Sequence, residues 1–272
     1  MGYRILGDVH THTLYSRHAY STIQENVTAA AKAGLEILGS TDHFSSMLFD
    51  EQTIKNFQFY DNVHVWPRVW DGVTVLRGCE VDILGLHGEM FGQDITLTHS
   101  IVDKPLKSEI TLFQRVVSNL DYVIASVHNA TFAQSAPLTQ TTEMYVRALE
   151  NPHVFILGHT GRAGVPYDLD EVLTCAKEHH KLIEINEHSL DMDPHGTFHA
   201  SCSKIAERCA EFGVGVVVSS DAHIAPLIGQ FDRVGTMLEE IHFPEELIMN
   251  RGREPFLREL AASGVCDLTD LL

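Results

Sequence analysis

Ile5-Leu6-Gly7-Asp8-Val9-His10-Thr11-His12-Thr13 is an apolar run that ends in two histidines one residue apart. Side chains on a β-strand alternate faces with a period of two. His10 and His12 therefore project the same way at the strand's carboxyl end, and Thr11 points away. Two imidazoles side by side can bind one metal ion. Spacing alone says little in a chain with 17 histidines. The weight comes from repetition, because the pattern of an apolar strand ending in a ligand-type residue returns along the chain.

Leu35 to Gly39 runs into Ser40-Thr41-Asp42-His43, and Val73 to Leu76 into Gly78-Cys79-Glu80-Val81-Asp82. Tyr122 to Val127 ends at His128, Val154 to Gly158 at His159, and Leu182 to Ile185 at Asn186. Val214 to Ser220 ends at Asp221-Ala222-His223. Helical signals lie between them. Thr22-Ile23-Gln24-Glu25 has capping-box form, and its helix runs to a C-cap glycine, Gly34. Further helices are predicted near 109–119, 139–150, 168–180 (opened by Asp168) and 199–212. Residues 50–70 are rich in aromatics and read as helical, 95–98 as a short strand or hairpin. The last 45 residues read as helical, with Pro244 and Pro255 near helix starts. Roughly seven strand-then-helix units imply a parallel sheet with helices outside. A chain of 272 residues suits one α/β barrel. The expectation is a single domain over 1–272, with 225–272 a helical C-terminal region packing on the barrel. Active sites of such barrels sit at the carboxyl ends of the strands.

Composition narrows the function. A net charge of −18 repels polyanions, so a long nucleic acid is excluded as partner. No apolar stretch reaches membrane-spanning length. There is no dinucleotide fingerprint or Walker A loop. Five cysteines without C-x-x-C pairing argue against a disulfide framework. With Met1-Gly2-Tyr3-Arg4 leading straight into a strand, a cytoplasmic location is expected. Ser201-Cys202-Ser203-Lys204 has S-x-x-K form but lacks the partner motifs of a serine hydrolase.

His10, His12, His18, Asp42, His43, Glu80, His128, His159, Asn186, Asp221 and His223 all fall at or near strand ends. Their side chains are the ligand types for zinc, manganese or iron. In order, Asp8-Val9-His10-Thr11-His12, Thr41-Asp42-His43, Gly78-Cys79-Glu80, His128, Gly158-His159 and Ser220-Asp221-Ala222-His223 resemble the motifs of the PHP (polymerase and histidinol phosphatase) family. The match spans residues 8–223, with no polymerase segments beside it. The resemblance implies a distorted TIM-like (β/α)7 barrel and a cluster of two to three divalent ions. It assigns His10, His12, Glu80 and Asp221 to one metal, and Glu80 with His128 and His159 to a second. His18, His43 and His223 would hold a third.

The chemistry expected of such a site is attack on phosphorus by a metal-activated hydroxide, with no protein nucleophile. Arg17 and Arg162 are candidates to grip a phosphate. Asn186 is placed to touch substrate or orient a ligand, and Asp42 to orient a ligand histidine. The leading expectation is a phosphatase acting on a small phosphomonoester. A nuclease or nucleotide phosphatase on short oligonucleotides or 3′,5′-bisphosphates, a metal-dependent amidohydrolase, and a silent metal-bound scaffold stand as alternatives. A homo-oligomer is left open, since the C-terminal helices could also form a subunit interface.

Overall fold

The computed structural model describes residues 2–272. Seven strands form a parallel sheet: β1 (Gly7–Thr11), β2 (Ile37–Ser40), β3 (Val73–Asp82), β4 (Tyr122–Ser126), β5 (Val154–Leu157), β6 (Leu182–Asn186) and β7 (Val216–Ser219). Each pairs in parallel with the next in chain order. The helices are α1 (Ile23–Ala33), α2 (Leu112–Val117), α3 (Leu138–Glu150), α4 (Leu169–Glu178), α5 (Glu187–Asp191), α6 (Thr197–Phe212), α7 (Asp232–Glu240) and α8 (Arg253–Ala262). The Thr22/Glu25 capping box, the Gly34 C-cap at φ 76° and the Asp168 N-cap all form. The chain is an α/β barrel of the TIM type, and two irregularities distort it.

The first is a bulge in β1. Gly7 and Asp8 pair with Ile37 and Leu38, but Thr11 pairs with Ser40, so β1 carries one extra residue. That residue inverts the alternation. A Cβ on Gly7 would meet the Ile37 side chain, and Val9 packs with Ile37, Leu76 and Tyr122 inside the barrel. Past the bulge it is His10 that faces inward, bonded to Glu184 of β6. A similar slip between β4 and β5 turns both Phe155 and Ile156 into the interior cluster.

The interior is narrow. Tyr122 crosses it and donates its hydroxyl to the Val9 carbonyl at 2.6 Å. Gly39 leaves the room, since a Cβ there would collide with that hydroxyl and stand 2.8 Å from the Val9 carbonyl oxygen. Gly39→Ala should therefore destabilise the protein by about 2–3 kcal/mol through overpacking. A urea titration against the parent protein measures it, and an unchanged midpoint would show that Tyr122 can move aside.

The barrel closes where β1 meets β7. His12 donates its backbone N–H to Ala222 at 2.9 Å near the mouth. Deeper in, no strand ladder joins the two, and the Asn250 side chain fills the seam. Its amide donates to Gly7 and Val218 carbonyls, both at 2.6 Å, and its oxygen accepts from the Val218 N–H at 3.0 Å. Below it, Phe256, Leu257 and Leu260 of α8 plug the amino-terminal end against Tyr122 and Phe155.

The helical reading of residues 50–70 takes a particular form. Gln58–Val65 is a 3-10 helix. Ile54, Phe57, Tyr60 and Val63 are buried at strict spacings of three, which a helix of three residues per turn places on one face. That face packs on Phe44. The expected hairpin is present, with Thr96–His99 antiparallel to Pro105–Thr111.

Candidate metal centre

The carboxyl ends of the strands carry the polar side chains. Two of them leave their strands with left-handed backbone, His159 at φ 26° and Asp221 at φ 54°. Such backbone in non-glycine residues is held by its surroundings and clusters at functional sites. At Asp221 the restraint is visible. The buried Asp8 carboxylate accepts from the Ser220 N–H (3.1 Å), the Ser220 hydroxyl (2.5 Å) and the Gly229 N–H (3.0 Å). His43 is placed by a two-residue strand, His43–Phe44, which pairs with β3 so that His43 lies opposite Glu80.

Glu80 is the centre. Its Oε1 lies 2.7 Å from His159 Nε2 and 3.3 Å from His128 Nε2. Its Oε2 lies 2.9 Å from His43 Nδ1, 3.3 Å from His10 Nε2 and 3.6 Å from His12 Nε2. Asp221 Oδ1 is 3.0 Å from His12 Nε2 and 3.7 Å from His10 Nε2. On the outer side His18 Nε2 and His223 Nε2 approach to 3.1 Å, with the His43 ring 5.0 Å from that of His18. The His223 Nδ1 faces the Asp221 carbonyl at 2.9 Å, which as a donor leaves its Nε2 lone pair free. All nine residues expected as ligands thus meet at one mouth. Among the described residues, three triads bring donor atoms within 4.8 Å of one another: His10/His12/Asp221, His43/Glu80/His128 and His12/His43/His223.

The electrostatics suit a cation. Burial raises the pKa of Asp221, but His10 and His12 outweigh it and hold the carboxyl well below its usual range. Burial also opposes ionisation of Glu80, and His128, His10 and His43 reverse that balance. Burial and the neighbouring His43 keep His12 and His18 neutral, the form that donates a lone pair. His128 goes the other way: burial is overcome by Glu80 and Asp82, which lift it to about 10. In that histidine a proton occupies the place a metal ion can take.

The remaining expected residues sit around this centre. Asp42 does not touch a ligand imidazole through its carboxylate. It accepts from Thr13 N–H, Thr13 Oγ1 and Ser16 Oγ, each at 2.7 Å, and Ser16 Oγ in turn lies 3.0 Å from His12 Nδ1. Asn186 reaches Asp221 Oδ2 at 3.3 Å. Arg162 pairs with the same oxygen at 3.0 Å, and its other terminal nitrogen is buried without a partner. Arg17 stands apart, 4.9 Å over the Phe49 ring, on a cleft of about 640 Å³ shared with Tyr15, Phe59 and Lys55.

Two buried acids were not singled out from sequence. Asp82 Oδ1 lies 2.6 Å from His128 Nδ1, and Glu184 Oε1 lies 2.6 Å from His10 Nδ1. The available signal was an acid on the inward face of an apolar strand, two residues after Glu80 and two before Asn186.

Do these residues fit a metal? His10 Nε2, His43 Nδ1 and Glu80 Oε2 are buried with no hydrogen-bond partner, although the two nitrogens lie 3.3 and 2.9 Å from the oxygen. Buried polar atoms are normally paired. Here close donors are left unpaired side by side, as ligands of neighbouring ions are when no ion is bound. A parallel barrel with this donor set at its mouth is a metal-binding hydrolase barrel. The PHP domain model matches residues 8–195, and the chain belongs to the PHP domain family. A probable phosphatase of Clostridium acetobutylicum is 37% identical over 261 residues, covering 96% of each chain. A probable phosphatase of Caldanaerobacter subterraneus subsp. tengcongensis is 36% identical over 250 residues, 92% of this chain and 89% of its own. Among solved structures, histidinol phosphate phosphatase from Lactococcus lactis, complexed with zinc, L-histidinol and phosphate, superposes with a TM-score of 0.53 at 18% identity. The superposition covers 89% of this chain and 95% of that one. With its relatives, the chain is a hydrolase of the phosphatase class. No helix among the described residues is long and apolar enough to cross a membrane.

Proposed function

We propose that this protein is a metal-dependent phosphomonoesterase acting on a small substrate at a multinuclear centre. The observation that carries the reading is the set of buried, close but unbonded donors around Glu80. His10, His12, Glu80 and Asp221 hold one divalent ion, and Glu80, His128 and His159 a second. His18, His43 and His223 hold a third. Zinc, manganese and iron all accept such nitrogen and carboxylate donors. When bound, divalent ions lower the pKa of a water and neutralise charge on a phosphoryl group. The chain's own contribution is geometry and charge. Arg162, locked onto Asp221 with one nitrogen free, points a second cation at the mouth and suits a phosphate oxygen. The natural substrate is a small phosphorylated metabolite, and histidinol phosphate is one member of the class to screen.

The test is hydrolysis of p-nitrophenyl phosphate by protein stripped with chelator and reloaded with manganese or zinc. Stripping should lower the rate by about a hundredfold or more, and reloading should restore it. His10→Ala and Asp221→Asn should remain inactive after reloading. Folded, metal-loaded wild-type protein without activity on any phosphomonoester would overturn the assignment.

A further inference from the structure

Glu184 lies on the inward face of β6 and is 2% exposed. One carboxylate there serves three strands. Its Oε1 faces His10 Nδ1 at 2.6 Å and accepts the Ser219 hydroxyl of β7. Its Oε2 accepts the backbone N–H of His159 at 2.7 Å. Every partner approaches as a donor, so the group must accept on both oxygens. A proton on His10 Nδ1 leaves the Nε2 lone pair free, and Nε2 is the atom that stands unbonded beside Glu80. Through the His159 backbone, the same carboxylate fixes the turn at φ 26° that aims the His159 ring at the opposite oxygen of Glu80.

We propose that Glu184 is a positioning residue that sets the His10 tautomer and ties the two halves of the metal centre together. It orients one ligand of the first subsite through the imidazole and one ligand of the second through the backbone. This rests on the metal-centre reading above. Carboxylates behind ligand histidines commonly contribute 10–100-fold in metal affinity. Glutamine is not a conservative replacement here. Its single oxygen can face His10 or the His159 N–H, and its amide then opposes a donor on the other side.

Two measurements test the proposal. In metal-loaded wild-type protein, long-range proton–nitrogen correlation on imidazole-labelled material should show His10 protonated on Nδ1. Glu184→Gln should need roughly 10–100-fold more metal for half-maximal occupancy, read by elemental analysis across a metal titration. Its turnover at saturating metal should recover far more than that of His10→Ala. Protonation of His10 on Nε2, or unchanged metal titration in Glu184→Gln, would overturn the role of Glu184 and leave the metal centre intact. Wild-type protein that takes up no metal would overturn both. The tautomer measurement uses wild-type protein, so an Nε2 proton there overturns the role of Glu184 even if the variant fails to fold.

Discussion

Glu80→Gln should lower turnover at saturating metal by at least about a thousandfold. Five imidazole nitrogens lie within 3.6 Å of the two Glu80 oxygens, His159 and His128 on one and His43, His10 and His12 on the other. In the proposed assignment those oxygens belong to two neighbouring cations. Like charges a few ångströms apart repel unless an anion lies between them. Glutamine keeps the shape, removes the charge and turns one ligand oxygen into a hydrogen-bond donor. Both subsites should suffer, so metals per chain should fall together with kcat. Steady-state kinetics beside elemental analysis of the purified variant measures both. Circular dichroism of the metal-free forms separates a lost site from a lost fold. A folded variant that keeps its metal and works within tenfold of wild type would remove Glu80 from the centre of the site.

Asn250→Leu should be the most damaging change outside the site, with a loss of about 4 kcal/mol. The side chain makes three hydrogen bonds across the seam between β1 and β7, to Gly7 and Val218 carbonyls and from the Val218 N–H. A hydrogen bond contributes about 1 kcal/mol net, but a buried group left unpaired loses ~1–3 kcal/mol. Leucine leaves three buried backbone groups without partners. Asn250→Asp should do little better, because a carboxylate faces two carbonyl oxygens where an amide donated to both. Urea unfolding followed by tryptophan fluorescence reads the loss directly. A change under 1 kcal/mol would mean that the seam is held by the mouth contacts and α8 alone.

Most of the candidate site could be read from sequence for a physical reason. Ligand-type residues at strand ends are local signals: an apolar run, then His10-Thr11-His12 or Asp221-Ala222-His223. A parallel barrel gathers such ends at one mouth whatever the details of packing. Glu184 and Asp82 escaped because their roles are defined by partners 174 and 46 residues away. On their own strands they look like isolated charges. Asn250 escaped for the same reason, from a short 3-10 turn. The 3-10 helix after Phe57 was visible in principle, since Ile54, Phe57, Tyr60 and Val63 repeat every three residues and not every three to four. The bulge in β1 was not visible. Ile5 to Val9 is continuously apolar but for Asp8, and no break in alternation marks where the extra residue sits.

That extra residue between Asp8 and Thr11 bears on how this chain can change over evolutionary time. Replacing Val9 by another apolar residue perturbs a contact with Ile37. Deleting it would restore regular pairing with β2 and leave the imidazoles facing Glu80 and Asp221, but it would remove an apolar side chain from the barrel interior and the carbonyl that accepts the Tyr122 hydroxyl. A change of length between Asp8 and His12 should therefore act through the packing around Tyr122 and not through the direction of the imidazoles. Lineages that lose the bulge should carry a compensating change at Tyr122 and keep the histidines where they are.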